Sequence, residues 1–220
     1  MTRKRWIAAV SALGILIAGA ITTAAVVDRS PSSHASEDDS PLLVAPSTTR
    51  ATMRTTTTHR TTTTFDLAKL PHPDPPPQDA YAPTPIIQIG AIDIPKIGVL
   101  HPVFEGITLT VIDHGPGHWP GSAMPCQRGN SVFPGHRVTH THPFLDLDLL
   151  SPGDRITFHM PGRDCVYKVT GTTIVDPSAL SVTDPTVTPT VTLIACNPKH
   201  SAAQRIVVKG ELIASIPVKA

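Results

Sequence analysis

Aromatic residues are scarce in this 220-residue chain, with two Trp, two Tyr and five Phe. A nucleic-acid surface needs stacking rings and a basic stripe. The formal net charge is only +1 and no long basic block occurs outside the N-terminus, so nucleic acid is not an expected partner. No internal repeat is present, and helix signals are weak, His142 to Leu150 being the best candidate for a single short turn of helix. No cluster of carboxylates argues for calcium, and no cofactor is expected. Cysteine is limited to three residues, an odd number that cannot be fully paired within one chain.

Proline and threonine are the residues present in excess. Of 24 prolines, seven lie between Pro71 and Pro85, and they come after the runs Thr55 to Thr58 and Thr61 to Thr64. Residues 28–85 have few apolar side chains in periodic order, too few to offset the entropy of ordering the chain. They read as a disordered Thr/Pro-rich linker, stiffened toward polyproline II at its proline-rich end. Fully extended, its 58 residues reach about 180 Å, at ~3.1 Å each. Ahead of the linker, Arg3, Lys4 and Arg5 precede an uncharged stretch from Trp6 to Val27. As a helix those 22 residues would be roughly 33 Å long, matching a hydrocarbon core of about 30 Å. Three cations before the span and none immediately after it predict a cytoplasmic N-terminus and an extracytoplasmic C-terminal part. Residues 1–27 are therefore expected to be a membrane anchor. A signal peptide cleaved at Ala18-Gly19-Ala20 is the alternative, and either reading exports the C-terminal domain.

After Pro85 the pattern changes to short β-rich runs: Ile86 to Ile94, Val99 to Phe104, Gly129 to Phe133, Arg155 to Met160, Cys165 to Val175, Val191 to Cys196 and Arg205 to Ala214. Seven such runs separated by Gly and Pro predict an all-β barrel or sandwich over residues 86–220. Pro161-Gly162-Arg163-Asp164 between two of them predicts a hairpin.

The unpaired thiol is the feature with chemical meaning. Cys196 closes the apolar run Val191-Thr192-Leu193-Ile194-Ala195, and Asn197-Pro198 turns the chain away at once, which puts it at the mouth of a strand. Cys126 and Cys165 remain as a pair, and their spacing does not decide whether they are bridged. A nucleophilic thiol needs a base or a cation nearby, because an ordinary cysteine is only a few per cent thiolate at neutral pH. His136 comes after Pro134-Gly135 at the end of another run. Arg205 opens the run Ile206-Val207-Val208. If that run neighbours the cysteine strand, its guanidinium returns toward the thiol and can hold a carbonyl and its developing oxyanion. Taken singly, a cysteine after an apolar run is more often core, and such a His or Arg is more often a turn or surface residue.

In combination and order, these residues resemble the catalytic arrangement of sortases: Gly135-His136, then Thr192-Leu193-Ile194-Ala195-Cys196, then Arg205. Further segments are similar to class E sortases of actinobacteria, namely residues 115–122 (GPGHWPGS), Gly135-His136-Arg137, Pro143-Phe144, Pro152-Gly153-Asp154, Cys196-Asn197-Pro198-Lys199 and Gln204-Arg205. The resemblance covers residues 87–214. It implies an eight-stranded β-barrel with short helical turns, and a cysteine transpeptidase that cleaves an LPXTG- or LAXTG-like sorting signal between Thr and Gly. Cys196 forms the thioester, His136 protonates the leaving amine and Arg205 stabilises the oxyanion. The implied partners are surface proteins bearing the sorting signal and a peptidoglycan-precursor amine. Three positions depart from the family pattern. Ala195 stands where Thr usually precedes the nucleophile, His140 where class E members carry a Tyr, and Pro134 where a small residue precedes Gly-His. Ala195 and His140 are accordingly expected substrate-binding positions, and His118 joins them as a candidate for lining the groove, hydrogen bonding within its own loop being the favoured role.

Two rival readings remain. His136, His140 and His142 lie at even offsets and would share a face if the segment were extended, a ligand set for a zinc hydrolase. The second is a wall-associated binding module that kept the barrel and lost the reaction.

Overall fold

The computed structural model describes residues 66–219. The expected anchor and the first part of the linker lie outside the described residues. Among the described residues no helix is long and apolar enough to cross a membrane.

Eight strands form one sheet: β1 (Gln88–Ile94), β2 (Val99–Glu105), β3 (Gly117–His118), β4 (Asn130–Pro134), β5 (Arg155–Met160), β6 (Arg163–Val175), β7 (Thr190–Asn197) and β8 (Gln204–Pro217). Their order is β3-β2-β1-β5-β6-β8-β7-β4. The two end strands approach each other where Trp119 N donates to Val132 O at 2.8 Å and Ala123 N to Asn130 O at 3.1 Å, so the sheet curls into a nearly closed barrel. Seven strands match the apolar runs of the sequence. Two-residue β3 has no counterpart among them, because Gly117-His118 carries no alternation. Pro161-Gly162 makes the predicted turn, with Met160 and Arg163 paired across it and Gly162 at φ 79°, the left-handed value that a type II turn asks of its third residue. The short helical turn expected within 142–150 is a 3-10 turn at Leu147–Leu149, and a four-residue helix that the sequence does not signal, α1 (Leu109–Ile112), comes after β2.

β7 explains why its sequence is continuously apolar rather than alternating. It lies between β4 and β8, and residues 191–195 are all buried. Leu193 enters the main core with Phe133, Phe158 and Tyr167. Its neighbour Ile194 packs on the other face with Trp119, Val132 and Val207. A strand covered on both faces loses the period-two signature. Each fully buried large side chain contributes roughly 1.5–3 kcal/mol, and the cluster includes the tilted ring pair Phe133–Phe158, 4.5 Å between centroids.

The linker expectation needs correction over its last twenty residues, 66–85. Leu70 is buried, Trp119 Nε1 donates to Asp74 O at 2.8 Å, and Asp74 N donates to Pro120 O at 2.8 Å. Further along, Leu109 N donates to Ala80 O at 2.7 Å. A proline-rich strand cannot donate a full ladder, but its carbonyls still accept, so low periodicity does not preclude docking as an extended strap. The glycine of Trp119-Pro120-Gly121 is part of this docking: a Cβ at Gly121 would collide with the His72 carbonyl.

Candidate functional site

Parallel pairing of β4 with β7, in the register Pro134 to Ile194, makes both strands exit at the same end of the barrel. Gly135 N extends the ladder by donating to Ile194 O at 2.9 Å. His136 and Cys196 are therefore delivered to one place although 60 residues separate them in sequence. Both line a pocket of about 350 Å³ together with Arg137, Thr139, His200 and Ala202. Gly135 has to be glycine here, since a Cβ would meet the Phe144 ring at 2.8 Å, and Phe144 is a fully buried floor beneath the turn. That contact accounts for the joint occurrence of Gly135-His136 and Pro143-Phe144.

Cys196 is half-buried and is the free cysteine of the described residues. Cys126 and Cys165 form a disulfide, with Cα atoms 5.4 Å apart. Directly across from Cys196 on β8 is Arg205. Its Nη1 donates to Ala202 O and Gln204 O, both at 2.9 Å, so the guanidinium is steadied by the loop that joins the two strands. The three residues singled out from the sequence thus come to one end of the barrel.

Two further residues carry no role in the sequence reading. Asp113, which caps the C-terminus of α1, accepts from His136 Nε2 at 2.7 Å, which fixes the ring's orientation. Arg137, 3% exposed, sends Nη2 to Asp148 Oδ1 at 2.7 Å and Nη1 to Asn197 Oδ1 at 2.9 Å. The same Nη1 reaches Cys196 O at 3.3 Å, and Nε donates to Leu145 O at 3.0 Å. A buried guanidinium is tolerated only when paired and hydrogen-bonded, and these bonds knot the turn after β4 to the end of β7. Its adjacency to His136 in sequence is the available signal. Asp113 has none.

The three expected substrate-binding positions fare differently. His140 belongs to the site, its ring stacked on His136 with centroids 4.8 Å apart. Ala195 does not line the pocket: it is 2% exposed and faces the core, because successive side chains alternate and Cys196 takes the other face. His118 is also excluded. It is buried, with Nδ1 2.9 Å from Glu105 Oε2 and Nε2 near Ser122 Oγ and Ala123 O, and it holds its own loop. The zinc set of His136, His140 and His142 is not formed, because the segment is a turn rather than a strand. His142 Nδ1 lies 3.0 Å from the His140 carbonyl. The metal-capable cluster is instead Asp113, His136 and His140, whose ligand atoms lie within 4.8 Å of one another.

Comparison with known proteins agrees with this geometry. The sortase domain model matches residues 92–213. The chain is 33% identical over 142 residues to sortase SrtE1 of Streptomyces coelicolor, covering 57% of this chain and 40% of that protein. It is 31% identical over 93 residues to sortase D of Bacillus subtilis, covering 42% and 46% respectively. The crystal structure of sortase E1 from Streptomyces coelicolor with a tripeptide in its active site superposes with a TM-score of 0.57 at 30% identity, over 60% of this chain and 91% of that one. The chain spans less than half the length of the two curated relatives.

Proposed function

This chain belongs to the sortase family, and from that premise we propose that it is a cysteine transpeptidase that cleaves an LPXTG- or LAXTG-like sorting signal and passes the protein to a cell-wall amine. Cys196 sulfur attacks the Thr carbonyl carbon. The bond to Gly nitrogen breaks as His136 gives the departing amine its proton, and a thioester remains. An incoming amine then attacks that carbon, the thiolate leaves, and the amine's proton returns to the imidazole. Asp113 occupies His136 Nε2, so Nδ1 is the nitrogen left for this exchange. Arg205, a planar donor fork opposite the sulfur, holds the oxyanion.

The observation that carries this reading is the shared pocket of Cys196 and His136 with Arg205 across the strand pair. His140, stacked on the catalytic ring, faces the sorting signal in place of the Tyr of class E relatives. The partners are surface proteins with such a signal and a peptidoglycan-precursor amine. We also infer that residues 1–27 anchor the chain in the membrane with the domain outside. The Cys126–Cys165 disulfide supports an oxidising compartment.

Mass spectrometry after incubation with a library of sorting peptides tests the reaction. Wild type should gain the acyl mass and Cys196→Ala should not. Peptide binding with no adduct at any sequence would leave a non-catalytic module as the better reading.

A further inference from the structure

The pairing of two imidazoles with one carboxylate oxygen exceeds what orienting a catalytic histidine requires. Asp113 Oδ1 lies 2.7 Å from His136 Nε2 and also 3.3 Å from His140 Nδ1. These residues come from three separate segments: the cap of α1, the exit of β4 and the turn after it. His140 is held at φ 52°, a left-handed conformation uncommon for residues with a side chain. The turn is closed on both sides, by His142 N donating to Thr139 O at 2.9 Å and by the His142 ring against the His140 carbonyl. Elsewhere His118–Glu105 and His159–Asp164 are pairs only. Among the described residues this is the group of three ligands that close in space.

We propose that Asp113, His136 and His140 form a site for a divalent transition metal of the zinc class, and that an ion on His136 Nε2 prevents formation of the imidazolium whose Nδ1 proton the leaving amine needs, silencing the enzyme reversibly. Zinc binds His nitrogen and carboxylate oxygen at about 2.0–2.2 Å, which sets tetrahedral neighbours about 3.3–3.5 Å apart. The His140–Asp113 separation of 3.3 Å already has that value. The 2.7 Å contact of His136 needs to open by about 0.6 Å, and the two imidazole nitrogens, within 4.8 Å of each other, to close by up to about 1.5 Å, when an ion replaces the shared proton. Two histidines and one carboxylate form a familiar zinc set that leaves a fourth position for water. The side chains of Asp113, His136 and His140 are 29%, 15% and 50% exposed, so an ion reaches them without unfolding the loop. Binding is independent of the proposed transpeptidation, and only the inhibitory consequence rests on it.

The test is calorimetric titration of the full chain in detergent with zinc chloride alone, with cobalt(II) absorption reporting coordination geometry. One ion per chain is expected. His140→Gln and Asp113→Asn should weaken it by at least about tenfold, while Cys196→Ala should leave it within about twofold. Zinc affinity unchanged in His140→Gln, or lost in Cys196→Ala alone, overturns the site. Adduct formation with a sorting peptide is then measured with and without zinc, each variant being referred to its own metal-free rate. Wild type should slow and recover with chelator, and His140→Gln should lose that sensitivity. Zinc bound through these residues with no change in wild-type rate overturns the inhibitory role. Absence of any adduct even in metal-free protein sinks the transpeptidase reading and the inhibition that rests on it, while the metal site stands on the titration.

Discussion

Sulfur sits opposite both ends of β8 and has a different fate at each. Ser215 lies opposite Cys165, and Arg205, ten residues away, lies opposite Cys196, a separation of about 33 Å along an extended strand. Cys165 is fully buried and bridged. Cys196 is half-buried at a strand exit, facing a cavity that contains an imidazole. Both residues adjoin apolar runs, so local sequence does not separate them. What separates them is the position of the strand end relative to the core.

The sharpest way to break this contrast is Cys196→Ala, which should abolish adduct formation while the thermal midpoint stays close to wild type. A large fall in stability would mean that this sulfur too is structural. Removing the other two thiols together, as Cys126→Ala with Cys165→Ala, should do the reverse. The bridge closes a sequence separation of 39, worth about 4 kcal/mol by chain entropy, so the urea midpoint should fall steeply. Thioester chemistry should persist in the fraction that remains folded.

Arg205→Lys should slow acylation by about a hundredfold, because an ammonium cannot reproduce the planar fork. Near-normal turnover in Arg205→Ala would remove its assigned role. Arg137→Ala should cost roughly 1–3 kcal/mol by stranding buried acceptors, discounted because Asp148 is 46% exposed, and should slow acylation by loosening the end of β7. Intact kinetics in that variant would confine Arg137 to folding. The smallest effect concerns Asp176. The Ser178 hydroxyl and amide, with a lesser contribution from Arg205, hold its carboxyl below the ordinary range. A depressed carboxylate helps the fold at higher pH and loses that help as pH falls through its folded value. Asp176→Asn should therefore be slightly less stable than wild type at neutral pH and converge with it as the carboxylate protonates in acid, and a deficit that persists undiminished in acid would show the assignment to be mistaken.

The barrel is legible in the sequence because most of its strands are short β-rich runs between turn residues, and the hairpin because Pro161-Gly162 has its own turn chemistry. Cys196, His136 and Arg205 stand out through residue type and spacing. Their proximity depends on the parallel β4–β7 register, which no local pattern encodes. For the same reason Asp113 is invisible in the sequence, since its meaning arises only when α1 folds against the exit of β4. Ala195 and His118 look like substrate contacts only if neighbours in sequence are neighbours in space. Alternation along β7 turns the first into the core, and the Glu105 carboxylate claims the second. The strap is hidden because composition reports what a segment cannot bury by itself, not what a neighbouring surface can offer it.

The docked strap also resets the mechanics of the tether. With residues 66–85 lying along the barrel, the proposed tether is confined to residues 28–65. The proposed span then begins at residue 28, so its upper limit falls from about 180 Å to about 120 Å. On the proposed membrane anchoring, a pull along the chain would meet the Asp74–Trp119 clasp before it reached β1 and the catalytic end.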